Sequence, residues 1–179
     1  SDRMANALYG EDRSRAPANP LRLAEEYQAS HGRGGLEALV RKLVTDDRWQ
    51  PGGIHRELMR LPWSDVLTTN WDTLLERNLD VEAERAYEAV LTAGDIARTR
   101  SPRIVKLHGT YPSLSPFILT EEDFRSYPAR HAPFVNLAQQ VLLENELCLL
   151  GFSGDDPNFL AWSGWVRDHL GERARRIHL

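Results

Sequence analysis

The sequence predicts an α/β fold, a parallel sheet covered by helices on both faces. Three observations predict it. Short apolar runs near residues 65–69, 103–107 and 146–151 are nearly continuous and bounded by turn residues, the pattern of strands buried on both faces. Between them, apolar residues recur at helical spacing, so strands and helices alternate. Each run also ends in small or polar residues: Asn70-Trp71-Asp72, His108-Gly109-Thr110, and Gly151-Phe152-Ser153-Gly154-Asp155-Asp156. Ligands bind beyond the carboxyl ends of parallel strands. The three runs are therefore expected in one sheet, with Asn70, His108 and Ser153 facing a common crevice.

Taken in order, residues 1–10 read as a helix with Met4, Ala5, Leu8 and Tyr9 on one side and no cap before it, so an upstream segment is expected. Residues 11–20 are a polar loop. A helix over 21–30 is interrupted by Gly32, Gly34 and Gly35. Leu36, Leu39, Val40, Leu43 and Val44 then predict an amphipathic helix over 35–45. Pro51-Gly52-Gly53 marks a turn. A short helix over 54–61 should turn Ile54, Leu58 and Leu61 inward, and Pro62 stops it. After the first strand a helix is expected over 71–79, with Asn70 as its N-cap and Asp72 in its first turn. A short strand is expected over 86–91, a turn at Gly94-Asp95, a turn-rich stretch over 111–116 and a short strand over 117–119. Thr120 reads as the N-cap of a helix reaching about Tyr127, with Asp123 near its positive end. Phe134, Leu137, Ala138, Val141 and Leu142 form the apolar face of the next helix, entered through Pro133. Asp155 or Asp156 caps a last helix with Phe159, Trp162, Val166 and Leu170 inward. Residues 175–179 read as a strand.

Composition narrows the function. The chain has 179 residues, 41% apolar and 27% charged, with net charge −4, values ordinary for a globular domain with a real core. No long run of one sign supports nonspecific binding to nucleic acid or to an anionic membrane. Cys148 is the single cysteine and sits in an apolar run, so it is expected to be buried and inert. One cysteine excludes an intrachain disulfide and a Cys-rich zinc site. No apolar run approaches the roughly 18 residues of a membrane span, and no signal peptide is evident, so a cytoplasmic location is expected.

Several residues could carry chemistry, and each has a bland reading beside it. Asn70 could cap a helix or contact a ligand. His108 could be a satisfied structural histidine or a general base, since an imidazole with a pKa near 6.5 is available in its neutral form at pH 7. Gly109 would let a ligand approach the backbone closely. The turn Gly151-Phe152-Ser153-Gly154 before a helix could bind phosphate through backbone amides, or be only a tight turn. The remaining histidines have no metal-ligand spacing with one another.

Together the three strand ends are more specific than any one alone. Thr68-Thr69-Asn70-Trp71-Asp72, Leu107-His108-Gly109 and Gly151-Phe152-Ser153 occur in that order, at spacings of about 38 and 43 residues. This resembles the sirtuin-like superfamily of NAD-binding proteins, and looks closest to its bacterial branch of NAD-consuming domains used in anti-phage defence. The resemblance covers roughly residues 55–170 and implies a Rossmann-like sheet. It implies that Asn70 holds the nicotinamide ribose and a water, that His108 activates a ribose hydroxyl or water, and that Asp72 faces the nicotinamide carboxamide. Gly151 and Ser153 match the turn that contacts the ribose and phosphates of NAD. Thr69, Gly109 and Asp155 are expected beside them in the NAD site.

The chain also departs from that family. Deacylating sirtuins carry a zinc module with four cysteines, and there is no room for it between His108 and Leu147. The glycine-rich turn that opens the family is not found, and the adenine-side segment is expected to follow Leu179. Residues 1–179 therefore read as one sirtuin-like domain lacking both ends, expected to hold NAD poorly alone. The implied function is an NAD glycohydrolase giving nicotinamide and ADP-ribose, with NAD as substrate, no metal, and further domains, a partner protein or a homo-oligomer completing it. The alternatives are a module that senses NAD or a related nucleotide without turnover, and a protein deacylase.

Overall fold

In the first stretch of the chain, helix α1 (Asp2–Tyr9) is followed by the long helix α2 (Pro20–Leu43). The structure, a computed structural model, describes residues 1–82, 86–112 and 117–179. Asn19 caps α2, its side chain accepting from the Leu21 amide at 2.9 Å, and Pro20 sits where a missing N–H costs nothing. Gly32 lies at φ 73 and ψ 165, outside helical space, so α2 is two helices joined at a break. That is where the glycines interrupt the apolar pattern, and a residue without a Cβ takes this φ readily.

The chain divides into two compact units, Ser1–Asp123 and Phe124–Leu179. In the first, α2 contributes Ala24, Tyr27, Leu36 and Val40 to a buried cluster with Phe117 and Leu119, and Trp71 packs against it. Such burial stabilises by about 1.5–3 kcal/mol for each large apolar side chain. Helix α3 (Gly53–Arg60) corrects the expected orientation. Ile54 is 79% exposed and Leu61 is exposed, while Met59 is buried with Tyr87 and Ile104. The helix is too short for its spacing alone to fix which side meets the sheet.

Strands β1 (Asp65–Thr68), β2 (Glu88–Val90) and β3 (Arg103–Lys106) form a parallel sheet in the order β1-β3-β2. β3 is central, and Ile104 and Val105 are fully buried. The register pairs Asp65 with Arg103 and Thr68 with Lys106. A forked ion pair pins it, with Arg103 Nε 2.9 Å from Asp65 Oδ1 and Nη2 2.8 Å from Oδ2. Helix α4 (Leu74–Glu82) follows β1. It starts three residues later than expected, so Asn70 is not its cap and Asp72 lies before it. Helix α5 (Ala93–Ile96) is a single turn where Gly94-Asp95 predicts a turn, and Asp95 Oδ2 accepts from the Thr92 amide at 2.7 Å.

Residues 117–119 are buried but form no strand, which corrects another expectation. Ile118 N donates to the His108 carbonyl, 3.1 Å, instead of entering a ladder. The expected turn at 111–116 lies largely outside the described residues. Helix α6 (Glu121–Arg130) starts at the expected box: Asp123 N donates to Thr120 Oγ1 and Thr120 N to Asp123 Oδ2, both 3.1 Å. It runs past Tyr127 and through Pro128.

In the second unit, helix α7 (Ala132–Glu144) buries the five residues its spacing predicts, Phe134, Leu137, Ala138, Val141 and Leu142. It packs on helix α8 (Pro157–Leu170), which buries Trp162 and Val166. Asp156 caps α8, accepting from Phe159 N at 3.0 Å. Strand β4 (Leu147–Cys148) corrects an expectation: it does not join the sheet of β1 and β3. It pairs in parallel with β5 (Ile177–His178) in a sheet of its own. Leu147 N donates to Arg176 O at 3.0 Å and Leu149 N to His178 O at 2.8 Å, so the last strand satisfies this ladder. Cys148 is exposed, not buried, because β4 alternates between half-buried and exposed positions. Among the described residues, no helix is long and apolar enough to cross a membrane.

Candidate active site

Asn70 and His108 follow neighbouring, hydrogen-bonded parallel strands at the same end. Each lies two residues past the last paired positions of the ladder, Thr68 and Lys106. Backbone bonds carry the pairing past the strands: Leu107 N donates to Thr68 O at 2.9 Å, and Tyr111 N to Trp71 O at 2.7 Å. The turn carrying Asn70 and Asp72 is thus stitched to the turn carrying His108 and Gly109.

The two turns differ in exposure. Asn70 is exposed, with its backbone amide donating to Thr68 Oγ1 at 3.1 Å. Its side-chain amide makes no hydrogen bond among the described residues. His108 is 5% exposed, and its carbonyl is held by Ile118 N. Gly109 has φ 91, a backbone conformation that L side chains rarely adopt. Thr110 behind it is buried, and Thr69 is half-buried. Asp72 Oδ1 accepts from Leu74 N at 3.1 Å, so Asp72, not Asn70, supplies the side-chain oxygen at the start of α4. Its Oδ2 makes no hydrogen bond among the described residues.

Beneath this pair of turns lie polar residues that spacing did not single out. Lys106 is buried in the central strand, donates to the main-chain carbonyl of Asp72 and stands 3.2 Å from Glu76 Oε1. Asp46 Oδ2 accepts from Thr73 Oγ1 at 2.6 Å and Oδ1 from Thr73 N at 2.8 Å, fixing the residue next to Asp72. Burial alone would push the Asp46 carboxyl up. The Thr73 hydroxyl and amide, with the Arg77 guanidinium, outweigh it and hold the carboxyl below its ordinary value. Only Lys106 carried a signal, a charge inside an apolar run. Asp46 and Glu76 carried none, since their partners are remote in sequence.

Arg33 supports the segment that is bonded to the His108 carbonyl. It donates to Phe117 O, stands 2.6 Å from Asp123 Oδ2, and pairs with Glu37 at 2.9 Å. Phe117 precedes Ile118, the residue bonded to His108 O, so the clamp holds that segment in place.

Gly151, Ser153 and Asp155 belong to the second unit, all exposed in the turn after β4. Gly151 has φ 61, and Ser153 Oγ accepts from Asp155 N at 3.4 Å. Among the described residues, no group of three or more His, Cys, Asp and Glu side chains is arranged to hold a metal.

Residues 64–179 match the SIR2-like domain, a span that takes in all three strand-end motifs. The chain belongs to the SIR2-like family. A relative named NAD(+) hydrolase ThsA, from Acinetobacter baumannii, is 32% identical over 158 residues, 86% of this chain and 32% of its own length. A protein of the same name from Bacillus cereus is 31% identical, covering 69% of this chain and 26% of its own length. Defense-associated sirtuin 2 of Bacillus subtilis is 22% identical, over 82% of this chain and 15% of its own length. This SIR2-like chain thus spans a third or less of the length of these relatives. Its α/β architecture, with a parallel three-stranded sheet and helices, is the one its strand and helix pattern predicts.

Proposed function

We propose that this SIR2-like chain is part of an NAD glycohydrolase that cleaves NAD to nicotinamide and ADP-ribose in bacterial anti-phage defence. The observation that carries the reading is that Asn70 and His108 follow the same ends of hydrogen-bonded parallel strands, in a chain whose relatives are named NAD(+) hydrolases. The bond to be cleaved already has a cationic leaving group. Nicotinamide departs neutral with the bonding pair, so a strong general acid is not required. The sugar passes through an oxocarbenium-like state, as in other glycoside cleavages.

The chain's residues divide that work. Asn70, exposed at the end of β1, orients the ribose and the attacking water. His108 accepts the proton as the water oxygen bonds to the anomeric carbon, and transfers it afterwards to solvent. Asp72 Oδ2 accepts from the nicotinamide carboxamide. Thr69 and Gly109 line the approach. The complete protein supplies the remaining NAD contacts and further domains, or acts with a partner or as a homo-oligomer.

The test is nicotinamide release from NAD by the complete protein and by His108→Ala. Loss of a general base should lower the rate by ~10²-fold or more. Wild-type protein that binds NAD without releasing nicotinamide would instead support a sensing module. Release of an acyl group from peptide lysines would support a deacylase.

A further inference from the structure

Lys106 poses a question the catalytic reading leaves open. A lysine in the centre of a sheet is costly to bury without a partner. Lys106 is 2% exposed, yet its neighbours Ile104, Val105 and Leu107 fill the core as expected. Two contacts account for its ammonium: the Asp72 main-chain carbonyl, to which it donates, and Glu76 Oε1 at 3.2 Å. Glu76 meets no hydrogen-bond geometry at either oxygen, so Lys106 is the charge that neutralises it. The lysine thus ties β3 to the turn at Asp72, while Asp72 Oδ1 accepts from Leu74 N and Trp71 O from Tyr111 N.

We propose that Lys106 is a positioning residue: its buried ammonium, neutralised by Glu76, fixes the Asp72 carbonyl and so aims the Asp72 carboxylate at the ligand beyond β1. The functional half of the inference rests on the NAD reading above, with a carboxamide as the group Asp72 receives. The positional half stands on this structure alone. A pair that only stabilised the fold could be exchanged for apolar side chains of similar volume without effect on the turn, since such exchanges of buried ion pairs are often tolerated.

The experiment is made on the complete protein with Lys106→Met/Glu76→Met, which leaves no buried charge unpaired, and with Glu76→Gln, which keeps the amine's bond to Asp72. Amide hydrogen exchange and steady-state nicotinamide release are both measured. In the double variant, Leu74 and Tyr111 should exchange ~10-fold faster or more, the effect of losing one hydrogen bond to a charged group. Leu107, bonded to Thr68 O, should keep wild-type protection. The KM for NAD should rise by a similar factor, with a smaller change in kcat. Glu76→Gln keeps that bond but leaves the ammonium without its counter-charge, so exchange at Leu74 and Tyr111 should rise less than in the double variant.

Wild-type exchange at Leu74 and Tyr111 in the double variant overturns the proposal. So does faster exchange with an unchanged KM in an active protein, or an equal effect of Glu76→Gln alone. If the wild-type protein releases no nicotinamide while the double variant loosens Leu74 and Tyr111, the hydrolase reading falls and the anchoring by Lys106 stands. If the wild type is active and the double variant matches it in both measurements, the anchoring falls and the hydrolase reading stands.

Discussion

Replacing Asp46 by asparagine should loosen the start of α4 and reduce the acid sensitivity of the first unit. The carboxylate is 7% exposed, accepts from Thr73 N at 2.8 Å and Thr73 Oγ1 at 2.6 Å, and lies 3.3 Å from Arg77 Nη2. Asparagine keeps one acceptor, so one Thr73 donor loses its partner where water cannot replace it. A hydrogen bond to a charged group contributes about 1.5–3 kcal/mol, and the half-exposed Arg77 adds less, so a loss of about 2–4 kcal/mol is expected at pH 7. Arg77 still donates to the carbonyls of Trp49 and Asp46, both 2.8 Å, which keeps the loss from growing. The carboxyl is held below its ordinary value in the folded chain. Its contribution is therefore complete above the unfolded-state value of about 3.9, and is lost as pH falls through the lower folded value. Chemical denaturation of both proteins at pH 7, 5 and 3 should show the stability gap narrowing at pH 3. A gap equal at all three pH values, or below about 0.5 kcal/mol at pH 7, a size ordinary for surface substitutions, would refute the reasoning.

Asn70→Ala/His108→Ala in the complete protein should release nicotinamide little more slowly than the worse single variant, since both residues are assigned to one activated group; rates multiplying across the pair would contradict that. Arg33→Met should lower stability by about 2–4 kcal/mol in denaturant titrations, because it strips Phe117 O and the Asp123 carboxylate of their cation. Asp123 is lowered as Asp46 is, burial raising it and Arg33 with the Leu119 and Thr120 amides more than offsetting that, so this variant's deficit should also shrink below about pH 4. Asp156→Ala should cost about 0.5–2 kcal/mol by removing the α8 cap, with Asp156→Ser recovering most of it in the same thermal melts.

What could be read from the sequence, and what could not, follows the range of the interaction concerned. The five buried positions of α7 lie within one helix, where periodicity reports the buried face directly. The box of Thr120 and Asp123, and the break at Gly32, are equally local. Asn70 and His108 were legible as strand-end residues, because each follows an apolar run by one or two positions. That they follow neighbouring strands depended on β1 pairing with β3, a long-range choice that neither run encodes alone. Helix α3 escaped because eight residues are too few for periodicity to fix a face, and contact with Tyr87 and Ile104 buries Met59 while Ile54 stays exposed. The exposure of Cys148 escaped because an apolar tetrapeptide does not distinguish a central strand from a two-residue strand with one open face.

The charged residues under the candidate site are the sharper case. Asp46, Glu76 and Arg33 sit in helical or turn segments, where a charge ordinarily means solvent. Each meets its partner across 27, 30 and 90 residues respectively, in Thr73, Lys106 and Asp123. No local pattern announces such pairs. Lys106 is different, because solvent is not an available reading for a charge flanked by Val105 and Leu107 in a central strand. A lysine there implies a buried acceptor on whatever element covers that face. Here the acceptor is the Asp72 carbonyl, in the turn before α4, and the counter-charge is Glu76, in the first turn of that helix. A charge inside an apolar strand is therefore evidence about the loop that the strand supports, and in this chain that loop carries Asn70 and Asp72.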